Sequence, residues 1–309
     1  MTGIAENITE AIGNTPLIRL RRFEEEAAFS GRILAKIESF NPGGSVKDRI
    51  AREMIRDAEK RGTLKKGGTI VEATSGNTGI GIAAICAALG YHAVIVMPDN
   101  ASNERIKILK AFGAEVVLTP AEKMMGGAGE KAAEILEATE NAVILNQGAN
   151  DANPQAHYRT TGPEIWEATG GKVDLLVATV GTGGTISGTG RYLKKQNPAL
   201  SVIGVEPAEC AVLSGGEPGL HKIQGIGGGK IAQVTDLSLL DEIIVVTDED
   251  AYQTTRAIAA REGILSGISG GAALWAVLQL AKRPENTGKT IVTVFPDSLE
   301  RYLSTDLLP

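Results

Sequence analysis

Runs of β-branched and aliphatic residues alternate with segments of helical period along almost the whole chain. The apolar runs predict strands at 32–38, 68–73, 92–97, 114–118, 141–146, 173–180, 201–206, 242–247 and 289–295. Between most of them a 3.6-residue period predicts helices at 46–60, 79–89, 103–112, 127–139, 185–196, 249–262 and 271–283. Such alternation predicts an α/β protein with parallel sheets covered by helices on both faces. In sheets of this kind ligands gather at the carboxyl ends of the strands, so the loops leading from strand into helix are where chemistry is expected.

Two stretches break the period. "GANDANPQA", near residue 150, has turn composition and reads either as a domain boundary or as a long surface loop. The segment 207–241 is glycine-rich, and an irregular stretch that long in an α/β protein is usually functional.

Composition narrows the class without naming a chemistry. The 309 residues suffice for about two domains of roughly 150 residues, and 43% hydrophobic content is that of a chain with ordinary buried cores. A net charge of −6, spread over mixed helices such as "REMIRDAEKRG", provides no basic stripe, so nucleic acid is not an expected partner. No apolar run reaches the roughly 20 residues of a membrane span, and "MTGIAENITEAIGNTP" lacks the basic-then-apolar order of a signal peptide. A cytoplasmic protein with no membrane partner is expected. Cys86 and Cys210 are too far apart for a CxxC site, and His92, His157 and His221 stand singly. The expectation is reduced thiols, surface or core histidines, and no metal.

Three local features suggest chemistry. "VDLLVATV" runs into Gly181, Thr182, Gly183, Gly184 and Thr185 and then into a helix; such glycines let backbone amides crowd round an anion at a helix N-terminus, most plausibly a phosphate, although a tight structural turn would look the same. It is neither a dinucleotide fingerprint, because Ile186 occupies the third glycine position, nor a Walker loop, since "NTGKT" has Arg283 where that motif needs glycine. A second loop, Thr74, Ser75, Gly76, Asn77 and Thr78, precedes a helix expected to begin at Gly79. Its hydroxyls and amide suit a carboxylate, with simple N-capping as the alternative. Third, "NPGGSVKDR" opens a helix on Ser45, which with Asp48 has the shape of a capping box. Lys47 stands in that first turn, where the helix dipole disfavours a cation. An amine so placed and partly buried has its neutral, nucleophilic form favoured. Alternatively it snorkels to water. An amine, a phosphate cradle and a carboxylate cradle are the parts needed to hold pyridoxal phosphate and an amino acid.

The motifs "NTPL", "NPGGSVKDR", "EATSGNTG", "TTGPEIW", "GTGGT", "HKIQGIG", "EGILSGIS" and "ERYLST", in that order over nearly the whole chain, resemble the cysteine synthase (O-acetylserine sulfhydrylase) family, A-type. The resemblance implies a fold type II pyridoxal 5'-phosphate enzyme. It would have a smaller mobile domain at 39–150, a larger one at 1–38 plus 151–309, the cofactor between them, and usually a homodimer. By resemblance the cofactor-bearing lysine falls on Lys47, the ring-oxygen contact on Asn77, the phosphate loop on Gly181 to Thr185, and the pyridine-nitrogen partner on Ser269. Ser269 also looks like the N-cap of the last long helix. Thr74 to Thr78, Gln147 and Gly225 fall on the substrate contacts. The implied reaction eliminates acetate from O-acetyl-L-serine through an aminoacrylate and adds sulfide to give L-cysteine, and the implied partner is the C-terminal tail of a serine acetyltransferase. Two departures stand out: Gly148 where the family commonly has Phe, leaving room for a bulkier substrate, and Lys230 where an aromatic residue is frequent. They leave open a cysteine desulfhydrase or a cystathionine- or lanthionine-type synthase. From other classes come a non-catalytic partner-binding scaffold, against which the intact Lys47 speaks, and a nicotinamide-dependent dehydrogenase, which lacks its fingerprint.

Overall fold

The computed structural model describes residues 3–308. In chain order the elements are β1 (Leu17–Arg19), α1 (Arg21–Glu26), β2 (Arg32–Ile37), α2 (Lys47–Lys60), β3 (Thr69–Ala73), α3 (Asn77–Leu89), β4 (His92–Pro98), α4 (Asn103–Ala111), β5 (Glu115–Thr119), α5 (Met124–Ala138), β6 (Ala142–Ile144), α6 (Ala152–Arg159), α7 (Thr161–Ala168), β7 (Leu175–Thr179), α8 (Gly184–Gln196), β8 (Ser201–Pro207), β9 (Glu242–Val246), α9 (Asp248–Glu262), α10 (Ile268–Ala281) and β10 (Thr290–Phe295). No helix among the described residues is long and apolar enough to cross a membrane.

Elements absent from the sequence-based reading are the short ones. β1 is three residues long and antiparallel to β2, too brief to show a period. α6 occupies the second half of "GANDANPQA", with Pro154 in its first turn, where the missing N–H removes no helical bond. Two expected caps are also different. α3 starts at Asn77, with Gly76 as its N-cap, so Asn77 and Thr78 lie inside the first turn. α10 starts at Ile268 behind Gly267, which places Ser269 inside the helix instead of at its cap.

The chain divides into two compact units: residues up to Ile12 with Asn41–Ala152, and Gly13–Phe40 with the chain from Asn153 onward. The segment before Ile12, grouped from sequence with the later half, joins the first unit. Arg52 on α2 donates to the carbonyls of Thr9 and Ile12 at 3.1 and 2.9 Å.

The first unit contains a four-stranded parallel sheet in the order β5-β4-β3-β6. Val71, Val94 and Val96 pack on Ala128 and Ala132 of α5. α2 buries Ile50, Ala51, Met54, Ile55 and Ala58, one face at helical spacing, and leaves Arg56 and Lys60 exposed. Ile50, Met54 and Ile55 each contribute about 1.5–3 kcal/mol when fully buried. α3 packs closely on the start of α2: a Cβ on Gly81 would lie 3.2 Å from the Lys47 carbonyl and 3.3 Å from the Ala51 Cβ.

The second unit contains a six-stranded sheet, β1-β2-β10-β7-β8-β9, parallel apart from β1. Its central strands are apolar on both faces. Ile291 and Phe295 of β10 join one core with α10, while Val292 and Val294 join another with Ile186 and Leu193 of α8. This is why β10 reads in sequence as a near-continuous apolar run, interrupted between Ile291 and Phe295 by Thr293 alone.

Candidate active site

Each sheet has a point where the strand order reverses, and ligands in α/β sheets gather outside the carboxyl ends of the strands at such points. In the first unit the chain runs from β3 outward through β4 to β5, and β6 then returns to the other side of β3. The loops after β3 and β6 are therefore neighbours. They carry Thr74 to Thr78 and Gln147. The Thr78 hydroxyl donates to Gln147 Oε1 at 2.7 Å. Thr74 Oγ1 accepts from the Gly76 amide at 3.3 Å, and Thr74 and Thr78 are both buried. Glu72, near the end of β3 and 3% exposed, accepts the Leu145 and Asn146 amides at 3.1 Å on Oε2 and the Gln147 amide at 3.3 Å on Oε1. Burial pushes the Glu72 carboxyl above its ordinary pKa, and the three amide bonds only partly offset this.

Lys47 is the first residue of α2 and is half-buried. The expected capping box does not form: Ser45 Oγ accepts from the Lys47 amide at 3.2 Å, but the Asp48 carboxylate accepts from the Gly43 amide at 2.5 Å instead of turning back to Ser45. A Cβ on Gly43 would collide with that carboxylate at 2.6 Å. The "PGGS" turn thus folds over Asp48 and fixes where α2, and with it Lys47, begins. An acid at this end suits the helix dipole; Lys47 opposes it.

In the second unit the reversal lies between β7 and β10. The loop after β7 is Gly181 to Thr185, and α8 begins within it at Gly184, behind Gly183 at φ +76° with no side-chain cap. Each glycine is required by a neighbour. A Cβ on Gly181 would lie 2.6 Å from the Gly225 carbonyl, one on Gly183 2.4 Å from Thr235 Oγ1, and one on Gly184 1.9 Å from Asn153 Oδ1. Asn153 Nδ2 donates to Thr182 Oγ1 at 3.1 Å and Thr235 Oγ1 to the Thr182 carbonyl at 3.0 Å. His157, fully buried, lies with Nε2 3.2 Å from Thr185 Oγ1 and Nδ1 2.9 Å from Thr161 Oγ1, a satisfied core histidine as expected. Gly225, at φ +91°, belongs to the long irregular segment, which meets the loop here. Ser269 lies in the first turn of α10 and is 3% exposed; that turn is joined to the end of β10 through the Gly267 amide, which donates to the Asp297 carbonyl at 3.0 Å.

Within the first unit the structure joins Thr78 to Gln147, and within the second it sets Gly225 against Gly181. It adds Glu72, Asn153 and Thr235, for which the chain carries no local signal. Both cysteines are buried thiols: burial pushes Cys86 up to about 12, and Cys210 donates to the Gly227 carbonyl at 3.4 Å. Lys230 is exposed and Gly148 half-buried.

The donor set fits pyridoxal phosphate. Backbone amides at an uncapped helix start, with the hydroxyls of Thr182 and Thr185 beside them, are ligands for a phosphate dianion, and the amine of Lys47 is the group an aldehyde requires. The comparisons agree. The model of the family described as pyridoxal-phosphate dependent enzyme matches residues 8–297. A probable cysteine synthase of Bacillus subtilis is 51% identical over 310 residues, covering 99% of each chain. A cysteine synthase of Staphylococcus aureus is 50% identical over 303 residues, 98% of this chain and 96% of that one. Among solved structures, the cysteine synthase of Entamoeba histolytica aligns with a TM-score of 0.96 at 45% identity, over 99% of this chain and 91% of that one. A hydrogen sulfide-producing enzyme of Fusobacterium nucleatum aligns at 0.92 and 45%, over 97% and 100%. The matches span both units, and the chain belongs to the pyridoxal-phosphate dependent enzymes, whose cofactor carries the kind of anion that the start of α8 attracts.

Proposed function

We propose that the chain is a cysteine synthase, converting O-acetyl-L-serine and sulfide into L-cysteine and acetate. The observation that carries the reading is the junction of β3 and β6, where Thr74 to Thr78 and Gln147 form one polar cradle suited to an amino-acid carboxylate. When bound, pyridoxal phosphate supplies an electrophilic carbonyl carbon and an electron-withdrawing ring. Gly181 to Thr185 would hold its phosphate with amides and hydroxyls, Asn77 would meet the ring oxygen, and the Ser269 hydroxyl would meet the ring nitrogen. A hydroxyl in that place, instead of a carboxylate, would leave the nitrogen largely unprotonated and so favour elimination over longer-lived carbanion chemistry.

Lys47 Nζ is the base that takes the proton from the substrate α-carbon. Thr74, Ser75, Thr78 and Gln147 orient the substrate through its carboxylate, and Gly225 borders it. Exclusion of water by closure over the carboxylate protects the reactive carbon until sulfide attacks. The same reading takes residues 39–150 as the smaller, mobile domain. It also takes the protein as cytoplasmic, and as a homodimer with a serine acetyltransferase tail as partner; the resemblance of the motifs supports the homodimer and the partner.

The test is cysteine formation from O-acetylserine and sulfide by the pyridoxal-phosphate-loaded protein. Lys47→Ala is expected to abolish turnover and alter the visible absorption while leaving the circular dichroism intact. No turnover with O-acetylserine or O-phosphoserine would overturn the reading. A second reading, release of sulfide from cysteine, is favoured by Gly148 and by the likeness to the Fusobacterium protein. Incubation with cysteine alone and detection of sulfide separates the two.

A further inference from the structure

A carboxylate beside a buried apolar strand is costly unless something compensates it. Glu72 ends the apolar run of β3 and is 3% exposed. No cation among the described residues pairs with it; its partners are three consecutive backbone amides, those of Leu145, Asn146 and Gln147, at 3.1, 3.1 and 3.3 Å. These amides lie where the chain leaves β6, and the middle one belongs to Asn146 at φ +52°, a conformation uncommon outside glycine. Two hydrogen bonds on Oε2 hold the turn, and the one on Oε1 reaches the residue whose side chain meets Thr78.

We propose that Glu72 is a positioning residue: its carboxylate holds the 145–147 turn in the conformation that presents Gln147 to the carboxylate of the amino-acid substrate. The inference rests on the reading of Gln147 as a substrate contact. Amides only donate, so the three bonds need an acceptor at both oxygens. In Glu72→Gln the amide oxygen can keep the Leu145 and Asn146 bonds, while its NH2 faces the Gln147 amide and that bond is lost. The change is nearly isosteric and selective for Gln147.

The experiment is a cycle of Glu72→Gln, Gln147→Ala and the double variant in the pyridoxal-phosphate-loaded enzyme. It reads kcat, KM for O-acetylserine, KM for sulfide and cofactor absorbance. Glu72→Gln is expected to raise KM for O-acetylserine roughly tenfold, with kcat, KM for sulfide and absorbance little changed. In the Gln147→Ala background it should add nothing further. A full additional rise in the double variant, or an unchanged KM in Glu72→Gln alone, would overturn the proposal and leave the reading of Gln147 standing. An unchanged KM in Gln147→Ala would sink that reading and the proposal with it. Glu72→Asp keeps the charge but is one methylene too short to span the three amides, and it carries the same cycle if the glutamine variant does not fold. Failure of both variants to fold would make Glu72 a folding residue and overturn the assignment.

Discussion

The Thr78 hydroxyl donates to the side-chain oxygen of Gln147 at 2.7 Å, joining residues 69 positions apart in the chain. One lies in the first turn of α3 and the other just beyond β6, so the bond spans the point where the strand order of the first sheet reverses. Thr78→Val keeps the shape and deletes the donor. It is expected to raise KM for the amino-acid substrate roughly five- to tenfold, with Thr78→Ser restoring most of the loss. Steady-state kinetics on the three proteins checks this.

Two glycine substitutions are expected to act in opposite directions. A methyl on Gly184 would sit 1.9 Å from Asn153 Oδ1 and push aside the amide that donates to Thr182, so Gly184→Ala should lower both pyridoxal-phosphate retention and the thermal midpoint. Gly129, inside α5, has nothing within 4 Å of its added Cβ. Gly129→Ala should stabilise the protein by about 0.5–1 kcal/mol through the lower entropy of the unfolded chain. Thermal unfolding and cofactor absorbance after gel filtration measure both.

Cys86 gives a pH dependence with a definite sign. Burial raises its thiol to about 12 in the folded protein, above the unfolded value. The contribution to stability is therefore whole below the unfolded thiol range and is lost as the pH climbs toward the folded value. Native protein at pH ~8 should leave Cys86 unmodified by thiol reagents until it unfolds. Cys86→Ala should lose less stability than the parent between about pH 9 and 11, as measured by denaturant unfolding at each pH.

Gly148 follows Gln147 and is half-buried. Gly148→Phe is expected to narrow the range of accepted amino-acid substrates with little change in the thermal midpoint, and comparing kcat/KM across a series of O-acyl and thio substrates tests this.

The glycine loop after β7 was legible because its chemistry is local: an apolar strand, a cluster of small residues and a helix signal follow one another within a short window. Lys47 stands out as a candidate for the opposite reason, as a residue in the wrong place for its helix, whose first turn it does occupy. The details of the caps were not legible. Whether Asp48 turns back to Ser45 or out to Gly43 depends on how the "PGGS" turn folds over it, and whether Ser269 caps α10 or lies within it depends on Asp297, which arrives with β10. Asn153 and Thr235 gave no signal, because each acts through a contact with the glycine loop.

The sequence by itself determined the longer elements, the parallel character of the sheets and the residue types able to hold an anion or act as an amine, since periodicity and turn chemistry are properties of near neighbours. Only the tertiary structure decided that β6 returns to lie beside β3 instead of β5. That pairing brings the 145–147 amides to Glu72 and Gln147 to Thr78. It is set by which apolar faces are buried together across the whole unit, and no local window of the chain encodes it.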